Sequence, residues 1–256
     1  MFSRSWILRC CRYSLRGVLA LTCLVLIFFA FPRPKPLTYV EKGKYIPKTL
    51  LYHSVNDNKY SQYDYLYVSP KNFESQIKLL SENGYSFLFA NEWRFTDTPS
   101  VIITFDDGYE DNYTEVFPIL KKYEARVTVF LITDMIGKEN YLSSEQIIEM
   151  HRSGLVSFQS HTVYHNDLSS ISESDIRYEF EESANSIEAL LGYRPSVVSY
   201  PTGKYNNKVS RISGEYYTHG YTTDSPEYVY DYNSSLIPRL YITNDYDISD
   251  FARLIR

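Results

Sequence analysis

Polarity changes sharply along the first fifty residues. Residues 1–16 carry Arg4, Arg9, Arg12 and Arg16 with no acid. Residues 17–31 read GVLALTCLVLIFFAF without a charge, and Pro32, Pro34 and Pro36 end the run. Fifteen apolar residues are short for a membrane span and long for the core of a cleaved signal, and no clear Ala-x-Ala cleavage site follows. An uncleaved signal-anchor over 1–31, basic side in the cytoplasm, is the expectation, with secretion after cleavage as the alternative. Residues 32–47 read as a proline-rich, semi-rigid spacer, and 48–256 as one folded domain.

In that domain short apolar runs alternate with amphipathic stretches. Strands are expected at 49–52, 85–89, 101–105, 127–131, 155–159, 196–200, 221–223 and 237–242. A helix over 70–83 has Pro70 in its first turn, Phe73, Ile77 and Leu80 on one face, and Gly84 as its stop. Ser172 caps a longer helix carrying Ile176, Phe180, Ala184, Ile187 and Leu191 at helical spacing, ended by Gly192. Further helices are expected at 112–123, 143–153 and 206–217 and at the C-terminus, and 56–69, with Tyr60, Tyr63, Tyr65 and Tyr67, as a surface loop. Strand–helix alternation predicts an α/β domain on parallel strands, and the number of units suits an irregular (β/α)7-like barrel.

Composition narrows the function. The net charge of −5 conceals a basic leader; the remaining residues hold 22 basic against 31 acidic side chains, a net of −9. So acidic a body is a poor nucleic-acid binder. Cys10, Cys11 and Cys23 all fall in the leader, so the domain has neither disulfides nor a cysteine zinc site. The 26 tyrosines suit a wet cleft that stacks on sugar rings, and equally an ordinary half-buried surface.

The chemistry gathers at predicted strand ends. Val101-Ile102-Ile103-Thr104-Phe105 runs into Asp106-Asp107-Gly108, the strand before residue 160 runs into His161-Thr162-Val163-Tyr164-His165, and Ser199 leads into Tyr200-Pro201-Thr202-Gly203. In a parallel α/β fold these carboxyl ends meet on one face. Two imidazoles and one carboxylate make a three-ligand site for a catalytic divalent metal. Neighbouring side chains diverge, so one aspartate can ligate while the other serves as general base. His53 ends the first strand as a candidate for substrate contact or proton donation. Arg239 could pair with a site carboxylate or lie in a surface ion pair. His219 is expected at a helix C-terminus, where imidazole is electrostatically favoured.

Thr-Phe-Asp-Asp-Gly followed by Ser-His-Thr-x-x-His resembles the first two motifs of the NodB-type polysaccharide deacetylases, carbohydrate esterase family four. The resemblance runs from Leu50-Leu51-Tyr52-His53 to Pro238-Arg239. The opening Tyr-His and the Ser199–Asn206 turn are most similar to the branch that N-deacetylates poly-β-1,6-N-acetyl-D-glucosamine in biofilm matrices. The resemblance implies one catalytic domain behind the membrane anchor, with Asp106 as base and Asp107, His161 and His165 as metal ligands. It implies the Thr202 N–H at the oxyanion, with Tyr200 and Arg239 as further oxyanion or substrate contacts. The late motif that supplies a histidine acid is not matched, which leaves His53 as the candidate donor. The implied cofactor is one divalent ion, Zn²⁺ first and Co²⁺, Ni²⁺ or Fe²⁺ as alternatives. The implied partner is an N-acetylglucosamine polysaccharide outside the membrane, met by a monomer. Peptidoglycan or a chitin-like glycan is the alternative substrate, and a non-catalytic glycan-binding surface protein the alternative class.

Overall fold

A computed structural model describes residues 44–57, 66–226 and 233–255, all within the unit Pro36–Arg256. The expected anchor, most of the spacer, and Tyr60, Tyr63 and Tyr65 lie outside the described residues. Among the described residues no helix is long and apolar enough to cross a membrane.

The apolar runs form strands β1 (Lys48–Tyr52), β2 (Ser54–Val55), β3 (Tyr67–Val68), β4 (Ser86–Leu88), β5 (Ser100–Phe105), β6 (Val127–Leu131), β7 (Val156–Ser160), β8 (Val197–Ser199), β9 (His219–Tyr221) and β10 (Leu240–Tyr241). The amphipathic stretches form helices α1 (Pro70–Glu82), α2 (Phe117–Tyr123), α3 (Ser144–Arg152), α4 (Glu173–Leu191), α5 (Asn207–Tyr216) and α6 (Ile248–Leu254). Local chemistry sets several ends. Ser69, Ser143, Ser172 and Asn206 each accept a backbone N–H at a helix start, and Gly192 closes α4 in the left-handed conformation.

The main sheet is parallel throughout, in the order β10-β1-β5-β6-β7-β8-β9. β4 pairs with the first half of β5, Ser100 to Ile102, while β6 pairs with Thr104 and Phe105 beyond it. The outcome is the expected irregular (β/α)7-like barrel. Its seam lies between β9 and β10, where one segment stitches the edges: Ile237 bridges Tyr221, Thr222 N donates to Ile237 O at 2.9 Å, and Arg239 N donates to Asp224 O at 3.0 Å.

Strand alternation divides the core into layers. Val101, Ile103, Phe105, Val127, Val129, Leu131 and Phe158 face outward and pack with Phe73, Ile77 and Leu80 of α1, Leu120 of α2 and Ile147 of α3. Val198 and Tyr200 pack outward with Ile176 and Phe180 of α4 and Val209 and Ile212 of α5. Ile102, Phe130, Val197 and Tyr221 point inward with Ile237 and form the barrel floor.

Four expectations are corrected. The strand expected over 237–242 shrinks to Leu240–Tyr241, since Pro238 lacks the N–H a ladder needs. The helix expected over 112–123 begins as a wide π turn, with Phe117 N donating to Asn112 O, before α2; Pro118 cannot donate to a normal helical turn there. Near the end of the expected 56–69 loop, Tyr67 and Val68 form a strand that pairs with Ser54 and Val55, just ahead of the loop. His219 opens β9 rather than ending a helix, because α5 stops at Tyr216 and Tyr217 is already extended.

The seam is tight at Gly220, where an added Cβ would meet the Tyr200 hydroxyl at 2.3 Å and the Ser235 carbonyl oxygen at 2.4 Å. Gly220→Ala is expected to lower the unfolding free energy by about 1–3 kcal/mol, the cost typical of overpacking. Urea denaturation checks this, and an unchanged midpoint would refute the account of the seam.

Candidate active site

The inward face of each strand continues past the apolar floor into polar side chains. On β5 the inward series is Ile102, Thr104 and then Asp106; on β7 it is Ser157, Gln159 and then His161; on β8 it is Val197 and then Ser199. Tyr52 faces Phe105 in register, so His53 and Asp106 emerge side by side. The pairing of Ser160 with Val198 sets His161 beside Ser199 in the same way.

Asp106 is 2% exposed and held on three sides. Arg239 Nη1 donates to Oδ1 at 2.8 Å and Nη2 to Oδ2 at 2.7 Å, and Ser199 Oγ donates to Oδ2 at 2.9 Å. Arg239 is itself 1% exposed; its Nε donates to the Thr222 carbonyl at 2.8 Å and its Nη1 also to Thr104 Oγ1 at 3.0 Å. Burial pushes the Asp106 carboxyl up, but the charges of Arg239 and His161 and the bonds from Arg239 outweigh it and hold it well below the usual carboxylate range. Of the two readings open to Arg239, the carboxylate pair is the one realised. The substrate contact expected of it is not, because its donors are spent on Asp106, Thr104, Ser199 and Thr222.

Asp107 takes the left-handed conformation, φ +76°, and this turn brings its carboxylate to the same side as Asp106 despite their adjacency. Gly108 follows at φ +80°, a conformation that a side chain would strain, while the nearest atom to an added Cβ, Leu131 Cδ2 at 2.8 Å, is the movable end of a side chain. Asp107 Oδ1 lies 3.4 Å from His161 Nε2 and 3.6 Å from His165 Nε2. Burial pushes the Asp107 carboxyl up too, but the contact with His161 and the nearby imidazoles bring it below its ordinary value. His161 Nδ1 is 2.8 Å from the Ser199 carbonyl oxygen. That acceptor requires a proton on Nδ1. Burial pushes the imidazole down, but Asp106 and Asp107 outweigh it and hold His161 above its usual value, so Nε2 faces Asp107 as a proton donor until a cation takes that proton's place. Burial pushes His165 down from the usual imidazole value, and the neighbouring His161 charge adds to this.

Asp107, His161 and His165 offer ligand atoms within 4.8 Å of one another. Asp107 Oδ1 is buried with no hydrogen-bond partner, a costly state for a carboxylate oxygen unless a cation shares the space. One carboxylate and two imidazoles therefore fit a divalent metal.

The loop that delivers the histidines is held from behind by Glu179 of α4. Its Oε2 accepts from Val163 N at 2.7 Å and Tyr164 N at 3.0 Å, and its Oε1 from Asn166 Nδ2 at 2.7 Å. Thr162 and His165 in this loop, like Asp107, have positive φ. Sequence reasoning missed Glu179, and it placed Ser199 in a strand-end motif without its hydrogen bonds to Asp106 and Arg239. Glu179 had a signal: an acid three residues after Ile176 and one before Phe180, beside the buried stripe of its helix.

The remaining candidates separate. His53 joins the cluster. Burial pushes its imidazole down, while the charges of Asp107 and Asp106 act in the opposite sense, and its ring lies 5.6 Å from that of Tyr241. Thr202 is exposed in the turn Pro201–Gly203 after β8, at φ +57°. Tyr200 departs from expectation, since strand alternation turns its side chain outward. Its hydroxyl lies 2.7 Å from Ser213 Oγ and donates to the Ser235 carbonyl at 2.8 Å, behind the sheet and away from the acids. His219 sits at the opposite end of the sheet, 6.3 Å from the Trp93 ring.

The chain belongs to the polysaccharide deacetylase family, whose model matches residues 94–221, a family of hydrolases that cleave N-acetyl amide bonds. A Bacillus subtilis relative named for this family, YxkH, is 35% identical over 192 residues, 72% of this chain and 66% of its own, just under two thirds of its length. The poly-β-1,6-N-acetyl-D-glucosamine N-deacetylase of Staphylococcus aureus is 29% identical over 243 residues, covering 83% of each chain. Among solved structures, a Bacillus cereus polysaccharide deacetylase aligns with a TM-score of 0.78 at 29% identity, over 83% of this chain and 70% of that one. The Streptococcus pyogenes deacetylase PplD, solved with acetate, aligns at 0.74 and 26%, over 83% and 99%.

Glu179→Ala leaves the buried N–H of Val163 without its acceptor and is expected to cost about 2–3 kcal/mol of stability. It is also expected to loosen the histidine loop enough to weaken divalent-metal binding. Denaturation and metal titration of the variant check both, and a neutral result in the two would dismiss Glu179 as the support of the loop.

Proposed function

We propose that this chain is a metal-dependent N-deacetylase of N-acetylglucosamine polymers, with poly-β-1,6-N-acetyl-D-glucosamine as its substrate. The observation that carries the reading is an arginine-held, ionised Asp106 set beside the Asp107–His161–His165 cluster, 3.9 Å from His161 Nε2. The Staphylococcus aureus relative named for that activity, aligned over 83% of both chains, supports the choice of polymer. The basic-then-apolar start of the chain supports a membrane-anchored domain that faces its polymer outside the cell.

On this reading Asp107, His161 and His165 hold the metal, Zn²⁺ being the first choice for the donor set. Such an ion supplies a Lewis acid that polarises the acetamide carbonyl and acidifies water. Asp106 takes a proton from the attacking water, whose oxygen bonds to the carbonyl carbon. Arg239 and Ser199 keep that carboxylate ionised and fixed in direction, so no rotamer search precedes the transfer. The Thr202 N–H donates to the carbonyl oxygen as negative charge gathers there. The C–N bond then breaks as the nitrogen receives a proton, delivered by His53 or returned from Asp106. Acetate departs and a free glucosamine amine remains.

The test is acetate and amine release from poly-β-1,6-N-acetyl-D-glucosamine oligomers by protein stripped with chelator and reloaded with single metals. Release restored by metal is the expected result. In Asp106→Asn, whose amide oxygen still accepts from Arg239, kcat is expected to fall at least about a hundredfold. Wild-type release by a folded Asp106→Asn protein would sink the mechanism. Release from chitin or peptidoglycan oligomers alone would move the substrate to β-1,4 glycans, and polymer binding without release from any glycan would favour a binding protein.

A further inference from the structure

Three successive residues at the end of β1 are tied to the segment that follows β5. Asp106 N donates to the Tyr52 carbonyl at 3.0 Å, Asn112 Nδ2 donates to the His53 carbonyl at 3.1 Å, and Ser54 Oγ donates to Asp111 Oδ2. The first bond continues the β1–β5 ladder; the other two come from the adjacent pair Asp111-Asn112. Asn112 Nδ2 also donates to Asp111 Oδ1 at 3.0 Å, and Asn56 Nδ2 donates to Asp111 Oδ2 and to Ser54 Oγ, each at 2.8 Å. Asp111 thus accepts from three side chains and anchors the group.

Asn112 opens the wide π turn before α2 and is fully buried. Both partners of its Nδ2 are pure acceptors, a carbonyl and a carboxylate, so the amide cannot be turned the other way round. Its own Oδ1 is buried with no hydrogen-bond partner. An orphaned carbonyl oxygen is a net cost to the fold, so stability alone does not account for an amide here. What the amide supplies, and an apolar side chain of that size would not, is a donor aimed at the His53 carbonyl. His53 is the one residue between β1 and β2, and Asn112 gives its carbonyl a partner. The chain that presents Asp106 and Asp107 therefore turns through Gly108 and comes back to hold the neighbouring strand end.

We propose that Asn112, anchored by Asp111, is a positioning residue for His53: it fixes the His53 backbone against the loop of the two acids, so that the imidazole meets the substrate in one orientation beside Asp106. The gain is geometric, because a catalytic group held in place needs no search at the moment of reaction, and a small displacement of it lowers the rate steeply. The inference rests on the deacetylase reading above and on His53 acting on the substrate there; it does not depend on which glycan that substrate is.

The experiment is a double-mutant cycle on the zinc-loaded full chain, reading acetate release from N-acetylglucosamine oligomers, with zinc affinity measured alongside. Asn112→Leu keeps the approximate volume and removes the donor. It is expected to lower kcat/KM by about 10–100-fold with zinc affinity unchanged. In a His53→Ala background the same change is expected to cost almost nothing further, because the residue it positions is gone. Ser54→Ala, which takes one donor from Asp111, is expected to give a smaller loss with the same dependence on His53. Wild-type activity in Asn112→Leu, or in Ser54→Ala should that variant alone fold, would overturn the proposal. So would an equal loss with and without His53, or full activity in His53→Ala. No release by the unsubstituted chain from any N-acetylated glycan would instead overturn the deacetylase reading beneath it.

Discussion

The structure depends most on the buried pair of Arg239 and Asp106. Two charges removed from water gain stability only when geometry is close and the remaining donors and acceptors are filled. Here the fork is bidentate, Ser199 Oγ takes a further place on Asp106, and Thr104 and the Thr222 carbonyl occupy the rest of the guanidinium. Breaking such a pair from one side costs about 3–5 kcal/mol, because the survivor stays buried and unpaired. The pair also ties distant parts of the chain together. Asp106 ends β5, Ser199 ends β8, and Arg239 belongs to the segment that sews the seam. Closure of the barrel and the charge state of Asp106 are therefore one interaction.

Strand parity explains which residues reach that interaction. Ile102, Thr104 and Asp106 share one face of β5, and Val101, Ile103 and Phe105 the other. A slip of one residue in the pairing with β1 would send Asp106 into the helix layer among Leu120, Ile77 and Phe73. The outward half of each strand is therefore also what specifies the site, since its apolar contacts fix the register. Backbone strain gathers where this regularity ends. Of the six non-glycine residues with positive φ among those described, Asp107, Thr162, His165 and Thr202 stand at the carboxyl ends of β5, β7 and β8. Left-handed conformations at threonine and histidine are costly and persist only where their surroundings enforce them. Glu179 does so for the β7 loop.

Much of this was legible in the chain. The apolar runs at 101–105 and 127–131, the capped helix ending at Gly192, and the acids and histidines at strand ends are local signals, and local signals survive folding. What was not legible depended on partners far away in sequence. The outward turn of Tyr200 follows from parity, but parity could be counted only once Val197 was known to face the barrel floor. The choice between two roles for Arg239 needed its meeting with Asp106, 133 positions away in the chain. Pro118 and Pro238 are local signals as well: each lacks the N–H that a regular helix over 112–123 and a full last strand would require. Glu179 lay in plain view beside an apolar stripe; its purpose needed the unpaired N–H groups of the loop it faces.

Adjacent aspartates at the mouth of a buried strand pose an electrostatic problem that the structure solves in two ways. Two carboxylates so close resist joint ionisation, and one ordinarily keeps a proton. Arg239 resolves this for Asp106 alone, because its donors are all used and none reaches Asp107. Asp107 must find positive charge elsewhere, and what faces its bare Oδ1 is a pair of imidazole nitrogens. His161 Nδ1 is committed to the Ser199 carbonyl, so the imidazole meets Asp107 either as a second proton donor or as a lone pair. A divalent ion satisfies the carboxylate and both lone pairs at once, whereas a proton on one imidazole leaves the other unmatched. The asymmetry created by Arg239, one acid permanently paired and the other left wanting a cation, is what would divide base from ligand, on the function proposed above, between two residues identical in chemistry and adjacent in the chain.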